Sequence, residues 1–301
     1  MHTIKYPHFS RFCQANCFFS NPGSCLIFLQ LTLFLGILLF NLSDSYASFE
    51  DLAAGSKSNS LAGAFIAMID VPEAIYVNAA GLCQISTLSG TIYYARPFGL
   101  KDLAYTNLYA VIPFKGNAIG CALHSYGNTL YRETIFSFAF SHRFTKQFMV
   151  GTTLNYDHLY IHNYGDAATL ELDVGLLTII NHSWKWGLTL SNLNRATVGH
   201  CKEFLPQTFH TGLTYNFHDN ISLNFDLYKD VHFPLDFRYG FEVWPIPNLS
   251  LRCGIGTMPS RIAAGIGLKF LSFEWDYAFL THSDLGVTHQ ISISFFKKQG
   301  R

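Results

Sequence analysis

From Leu88 onward, apolar and polar residues alternate with a period of two in one segment after another. Across 221–228, Ile221, Leu223, Phe225 and Leu227 alternate with Ser222, Asn224, Asp226 and Tyr228. Leu172, Val174 and Leu176 oppose Glu171, Asp173 and Gly175 in 170–180, and Phe237, Tyr239 and Phe241 oppose Asp236, Arg238, Gly240 and Glu242 in 235–243. Phe273, Trp275, Tyr277 and Phe279 likewise oppose Ser272, Glu274, Asp276 and Ala278. Successive side chains of a strand point to opposite faces, so each segment is a strand with one greasy face and one wet, charged face.

About fourteen such segments occur, near 88–96, 103–113, 116–126, 130–142, 146–160, 167–180, 184–193, 205–217, 220–231, 234–244, 248–257, 261–270, 271–282 and 286–296. Each has the length a tilted strand needs to cross a bilayer. An even number of antiparallel strands suits a closed outer-membrane barrel. Links at Lys115, Thr145, Asn181-His182, His218-Asp219, Ile246-Pro247 and Phe270-Leu271 are tight, whereas 162–166 and 194–204 read as long loops on the other rim. Short periplasmic turns opposite longer outer loops give the same architecture.

The stretch ahead of the strands follows a different rhythm. Leu61, Phe65 and Met68 recur at helical spacing with Ser58 or Ser60 as a possible cap, and Pro72 can open a second short helix that Gly81 closes. Two small amphipathic pieces have no core of their own, and the nearest place to bury their apolar faces is the barrel lumen. Further upstream, the apolar run 25–40 follows Lys5 and Arg11 and precedes Ser45-Tyr46-Ala47, which reads as a signal peptide cut after Ala47, with an uncleaved anchor as the alternative. The expected organisation is a signal peptide over 1–47, a plug segment over 48–87 and a transmembrane barrel over 88–301.

Composition sharpens this picture. Charged residues are only 13% of the chain and aromatics 16%, so there is too little charge to coat a water-facing globule. A soluble β-sandwich would carry more Lys and Glu on its polar faces and fewer strands. Among the 28 Phe and 16 Tyr, those near strand ends supply candidates for interfacial girdles, with Tyr93-Tyr94, Tyr156, Tyr160, Trp184, Trp186, Tyr228 and Trp244 the clearest. The 20 basic and 20 acidic residues leave no net field, which argues against a nucleic-acid partner.

Candidate chemistry is sparse. Inward positions carry both signs: Glu133, Glu171, Asp173, Asp226, Asp236 and Glu242 against Arg238, Arg252, Arg261 and Lys269. They form either a filter or cargo surface or, the favoured reading, a charge-paired polar lumen, because buried charges must be paired or solvated. Gly254-x-Gly256 and Gly265-x-Gly267 lack a following helix, so they mark bends or room for the plug rather than a nucleotide loop. Cys83, Cys121, Cys201 and Cys253 are too scattered for a metal site or disulfide framework. His289 and Ser292 are the nearest hydrolase candidate, but alternation puts them on opposite faces of one strand. Neither enzymatic activity, a cofactor nor a metal is expected.

Two groups of residues carry a family resemblance. Gly63-Ala64-Phe65, Asp70, Ala74, Tyr76 and Asn78-Ala79-Ala80-Gly81-Leu82 resemble the N-terminal signature of PorV and FadL-like outer-membrane barrels, which usually have Pro where Ala79 stands. Asp276-Tyr277-Ala278, Leu285-Gly286, Thr288-His289 and Ile291-Ser292 are similar to the last hairpin of PorV-type proteins, which often carry Arg in place of Gln290. The resemblance spans essentially the mature chain and implies a fourteen-strand barrel of the bacterial outer membrane with an N-terminal hatch. The compact loops lie closer to the PorV branch. That branch implies a non-enzymatic accessory in protein secretion or surface attachment, with outer-membrane lipid, type IX secretion components or exported proteins as partners and the 194–204 loop as contact surface. The FadL branch implies a channel for small hydrophobic compounds, and a purely structural barrel is the third possibility.

Overall fold

The computed structural model describes residues 54–199, 202–218 and 220–297, so the expected signal peptide lies outside the described residues. Sixteen strands follow in chain order: β1 (Ser89–Arg96), β2 (Tyr105–Phe114), β3 (Asn117–Gly127), β4 (Tyr131–Arg143), β5 (Phe148–Ile161), β6 (Gly165–Ile179), β7 (Trp184–Ser191), β8 (Thr197–Val198), β9 (Glu203–Phe204), β10 (Thr208–His218), β11 (Ile221–Asp230), β12 (Asp236–Ile246), β13 (Leu249–Thr257), β14 (Ser260–Phe270), β15 (Phe273–His282) and β16 (Gly286–Phe296). All except β8 and β9 form one closed antiparallel barrel in which β7 pairs with β10 and β1 closes on β16. The closing register runs from Ser89 opposite Phe296 to Arg96 opposite His289. Closure leaves no strand edge to template aggregation. Each of the fourteen segments predicted from alternation is a barrel strand.

Alternation also sorts the faces as expected. Ile92, Leu108, Phe138, Leu154, Phe241 and Trp275 are exposed on the outside, while Asn107, Ser137, Asn155, Glu242 and Asp276 are buried inside. No helix of the described residues is long and apolar enough to cross a membrane.

Two details differ from the sequence expectations. The link expected to be a long loop at 162–166 is only the turn 162–164, because β5 and β6 run on to Ile161 and Gly165. Asn163 (φ 66°) and Gly165 (φ 94°) take the left-handed conformations that such a reversal needs. Of the girdle candidates, Tyr93 is fully buried in the lumen, Tyr228 stacks on the inward Arg238, and Trp244 sits over Lys269. Period two places Tyr228 and Trp244 on the Asp and Glu face of their strands and Tyr93 on the Ser89 and Thr91 face of its own, so their rings serve the interior instead of the lipid interface.

Residues 54–85 occupy the lumen. Leu61, Ala64, Phe65, Ile66, Ala67, Ile69, Ala74, Ala80 and Leu82 are all fully buried. Burying a Leu, Ile or Phe side chain contributes about 1.5–3 kcal/mol relative to leaving it in water, so the segment is held strongly. Its helices are shorter and differently placed than their spacing predicts: α1 (Ser56–Ser60), α2 (Ala74–Val77) and a 3-10 helix at Ala79–Gln84. Ser58 and Ser60 lie inside α1 rather than capping a helix, Leu61 and Met68 lie in turns and Phe65 in the irregular link between them, and Gly81 sits within the 3-10 helix rather than ending one. Ala62 (φ 53°) and Gly63 (φ 83°) break the helix, and the next free amides find partners on the wall. Phe65 N and Ile66 N donate to Asp226 Oδ2 at 2.7 and 2.9 Å. Helices this short are unstable alone, so the wall, not local propensity, decides their conformation.

Glycines on the wall let the plug approach. A Cβ at Gly254 would lie 2.2 Å from the carbonyl carbon of Leu61, and one at Gly265 would lie 2.5 Å from Ser60 Cβ. Gly256 and Gly267 instead leave space for the Arg261 guanidinium and for Ser250, Asp276 and Arg252. Both glycine pairs therefore provide space rather than phosphate contacts.

Candidate functional site

The lumen is organised by charge on the β12–β15 wall. Antiparallel pairing sets Glu242 on β12 directly opposite Arg252 on β13. Arg252 donates to Glu242 at 2.6 Å and Glu274 at 3.3 Å and also pairs with Asp276; its own side chain is fully buried. Lys269 reaches the other oxygen of Glu274 at 3.4 Å. Nearer the opposite rim, Asp236 receives Arg238 and Arg261 at 2.7 Å each and the amides of Thr257 and Met258. Arg238 stacks 4.0 Å above the ring of Tyr228. His210 Nε2 lies 3.0 Å from Asp226 Oδ2, the atom that also holds the plug amides. Among the lumen charges singled out in the sequence, Asp226, Asp236, Arg238, Glu242, Arg252 and Arg261 are thus partnered, as a charge-paired interior requires. Glu171 and Asp173 lie apart from them on β6.

The plug motif is distributed along the hatch. Gly63 faces Arg238, where a Cβ would meet Nη1 at 2.7 Å. Arg261 Nη2 donates to Ala62 O at 3.2 Å. Phe65 lies beneath Lys57 Nζ at 5.6 Å, and Lys57 also reaches Asp70 at 3.0 Å. Asp70 itself is exposed at the end of the plug, while Ala74 is fully buried. Tyr76 stacks against the His124 ring at 4.8 Å. Asn78 donates to Leu176 O at 3.0 Å and Ile66 O at 3.2 Å, and its Oδ1 accepts from Ala80 N, capping the 3-10 helix. Its close partner is Gly175, where a Cβ would lie 2.2 Å from Asn78 Oδ1. Gly81 is forced by Ile69, which a Cβ would meet at 2.4 Å, and Leu82 completes the buried apolar cluster.

The C-terminal motif is split between faces. Asp276 joins the Arg252 cluster, and Thr288 Oγ1 accepts from Phe98 N at 3.1 Å. Tyr277 and His289 pair on the outside at 2.7 Å, and Gly286 turns the hairpin with φ 97°. Ser292 is buried in the lumen, on the face opposite His289, and accepts from Ser56 N at 3.0 Å.

Sequence reasoning missed several anchors. Asn59 of α1 donates to Gln290 Oε1 at 2.6 Å and Tyr93 OH at 3.3 Å, and Tyr93 donates to the same Gln290 oxygen. Period two along 89–96 marks Tyr93 as inward, but its partner in the plug left no signal. Thr153 and Thr189 donate to Ile75 O and Val77 O at 3.1 and 3.0 Å. Glu73 went unnoticed too. Burial, with the carboxylates of Asp276 and Glu274 nearby opposed by Lys57, pushes its carboxyl up to about 8.

That placement sets a pH dependence. A carboxyl raised from 4.5 to about 8 in the folded plug favours the closed state most at low pH, and this contribution declines as pH rises through that window. Protease access to residues 54–85 of the reconstituted protein is therefore expected to increase from pH 4.5 to about 8, and Glu73→Gln should flatten the profile. A wild-type profile as flat as that of the variant would contradict it.

On the long-loop side of the plug lies a chamber of about 120 Å³. Tyr76, Val77 and Asn59 of the plug bound it, with Ile135, Asp157, Glu171, Asp173, His210 and Arg238 on its walls and Pro206 at its roof. Above it residues 192–199 and 202–207 fold inward: Ala196, Val198 and Leu205 bury themselves with Ile135, packed by Tyr76, Tyr105, Tyr126, Leu159 and Ala167. In the loop expected to present a contact surface, Ala196 and Val198 turn inward and are buried, while Asn194, Arg195, Lys202 and Phe204 are exposed.

No family model and no curated protein matches the chain. Solved structures do match. A FadL homologue from Pseudomonas aeruginosa superposes with a TM-score of 0.61 at 10% identity, over 80% of this chain and 98% of that one. The monoaromatic hydrocarbon channel CymD gives 0.60 at 12% identity, over 82% and 98%. The toluene transporter TbuX from Ralstonia pickettii gives 0.55 at 10% identity, over 81% and 98%. The chain has the fold of FadL-type channels. At these identities the likeness concerns architecture, and none of it is specific to PorV.

Proposed function

We propose that the protein is a non-enzymatic channel of the bacterial outer membrane that admits small hydrophobic molecules and is held closed by its plug. The observation that carries this reading is the apolar lid of Ala196, Val198 and Leu205 packed on Tyr76, which gives an apolar molecule a greasy approach to the chamber. The shared fold with a monoaromatic hydrocarbon channel and a toluene transporter supports it. The outward apolar surface supplies the contact with outer-membrane lipid.

The test is uptake of labelled toluene into liposomes containing the purified protein. Wild type is expected to take up toluene faster than protein-free liposomes. Uptake equal to empty liposomes would overturn the channel. The secretion accessory role, with secretion components or exported proteins as partners, rests on the sequence motifs around 63–82 and 276–292 alone. A deletion strain that still secretes its cargo would remove it.

A further inference from the structure

We propose that the chamber between the plug and the inward-folded Ala196, Val198 and Leu205 binds a small organic ammonium ion, with Asp157, Glu171 and Asp173 as its anionic wall. This deepens the channel reading and rests on it for its biological meaning: the preferred cargo carries an apolar body and one positive charge.

The first argument is an unbalanced charge. Asp226, Asp236, Glu242, Glu274 and Asp276 each meet an Arg, Lys or His within 3.4 Å. Among the described residues no such ion pair reaches Asp157, Glu171 or Asp173. The basic groups that share the chamber are engaged elsewhere, His210 with Asp226 and Arg238 with Asp236 and the Tyr228 ring.

The second argument is an orphaned acceptor. Asp157 is 1% exposed, and neither of its carboxylate oxygens has a donor from the protein. The charged groups near it are the carboxyls of Glu171, Asp173 and Glu133, which can offer it at most a shared proton. Buried polar atoms are almost always hydrogen-bonded, and a buried carboxylate demands a partner more than most. Asp173 shows the contrast, since Asn155 Nδ2 at 2.8 Å and Asn192 N at 2.9 Å hold it in place.

The arrangement fits an ammonium group. In the β5–β6 ladder, Asn155 stands opposite Glu171 and Thr153 opposite Asp173, so Asp157, Glu171 and Asp173 share one inward face on two adjacent strands. An alkylammonium has three N–H donors and no acceptor, which is the complement of a wall made of carboxylates. Tyr76, Val77 and Pro206, with Ile135 directly beside Asp157 on β4, line the same chamber and offer an apolar surface for the rest of the molecule. The chamber, at about 120 Å³, approaches the ~150 Å³ hollow that accommodates benzene. A neutral hydrocarbon would fill this space and leave the acids unmatched. No group of acid, His or Cys side chains among the described residues is arranged to hold a metal ion.

The probe is benzylammonium, compared with benzyl alcohol of the same shape, titrated calorimetrically into the full chain in neutral detergent. Wild type is expected to bind benzylammonium at least about tenfold more tightly than benzyl alcohol, and Asp157→Asn to erase most of that preference, as loss of a charge-assisted contact requires. Equal affinity for the two probes in wild type overturns the proposal, as does an Asp157→Asn variant that retains the heat-modifiable fold and the wild-type preference. Should that variant fail to fold, Glu171→Gln and the wild-type comparison carry the same decision. Toluene uptake reads the channel independently: selective benzylammonium binding without uptake removes the channel and keeps the site, and uptake without selectivity does the reverse.

Discussion

Gly151→Val is expected to raise the ionic conductance of the reconstituted barrel by about fivefold or more, because an extra 1–3 kcal/mol of overpacking shifts the plug equilibrium by at least that factor. A Cβ at Gly151 would lie 2.2 Å from both the carbonyl carbon of Ala79 and the amide nitrogen of Ala80. Both atoms belong to backbone, so no change of rotamer relieves the clash, and β5 is locked between β4 and β6 along its length. The element free to move is the 3-10 helix of the plug. Ser141 Oγ, which donates to Ala80 O at 3.2 Å, would lose that partner too. The comparison is Thr152→Val, one residue along and exposed on the outer face, which should leave conductance unchanged. Planar-bilayer recordings and protease access to 54–85 read the result together. Wild-type conductance with a protected plug in Gly151→Val would show that the hatch is not held by this contact.

Arg252→Met is expected to cost about 3–5 kcal/mol, the usual penalty for removing one partner of a buried ion pair. The guanidinium is the hub of Glu242, Glu274 and Asp276, with no exposure to water. Methionine keeps much of the packing volume but leaves three carboxylates facing one another in a closed lumen. Lys269 pairs with Glu274 from a partly exposed position and the plug's Lys57 lies near Glu242 and Glu274, so the remaining cations compensate the three only in part. Urea unfolding in vesicles, read by heat modifiability, should show a markedly lower midpoint, and adding Glu242→Gln should restore part of it. A midpoint within experimental error of wild type would mean that water already carries the charge balance.

The sequence made the wall legible because one physical constraint acts on every residue of it. A strand between lipid and lumen must alternate, so Leu223, Phe225 and Leu227 against Ser222, Asn224 and Asp226 determine both the element and its orientation. Strand length followed for the same reason, set by the bilayer. The plug obeys no such rule. Leu61, Phe65 and Met68 have helical spacing, yet Asp226 captures the amides of Phe65 and Ile66 from across 160 residues of chain and replaces the intrahelical bonds. A short helix gains too little from its own backbone to resist a buried carboxylate at 2.7 Å.

Period alone thus determined a fourteen-strand barrel, its inside and its outside, and the presence of an amphipathic segment that needed a lumen. The tertiary structure decided which inward charges meet, since pairing depends on neighbours brought together by register: Arg252 joins Glu242, Glu274 and Asp276, while Asp157, Glu171 and Asp173 face one another. It also decided that Ala196, Val198 and Leu205 fold over the chamber, because they gain burial against Tyr76 and Ile135 only once the barrel has closed around the plug. Local pattern records which face a residue occupies; the identity of its partner across the lumen is a property of closure.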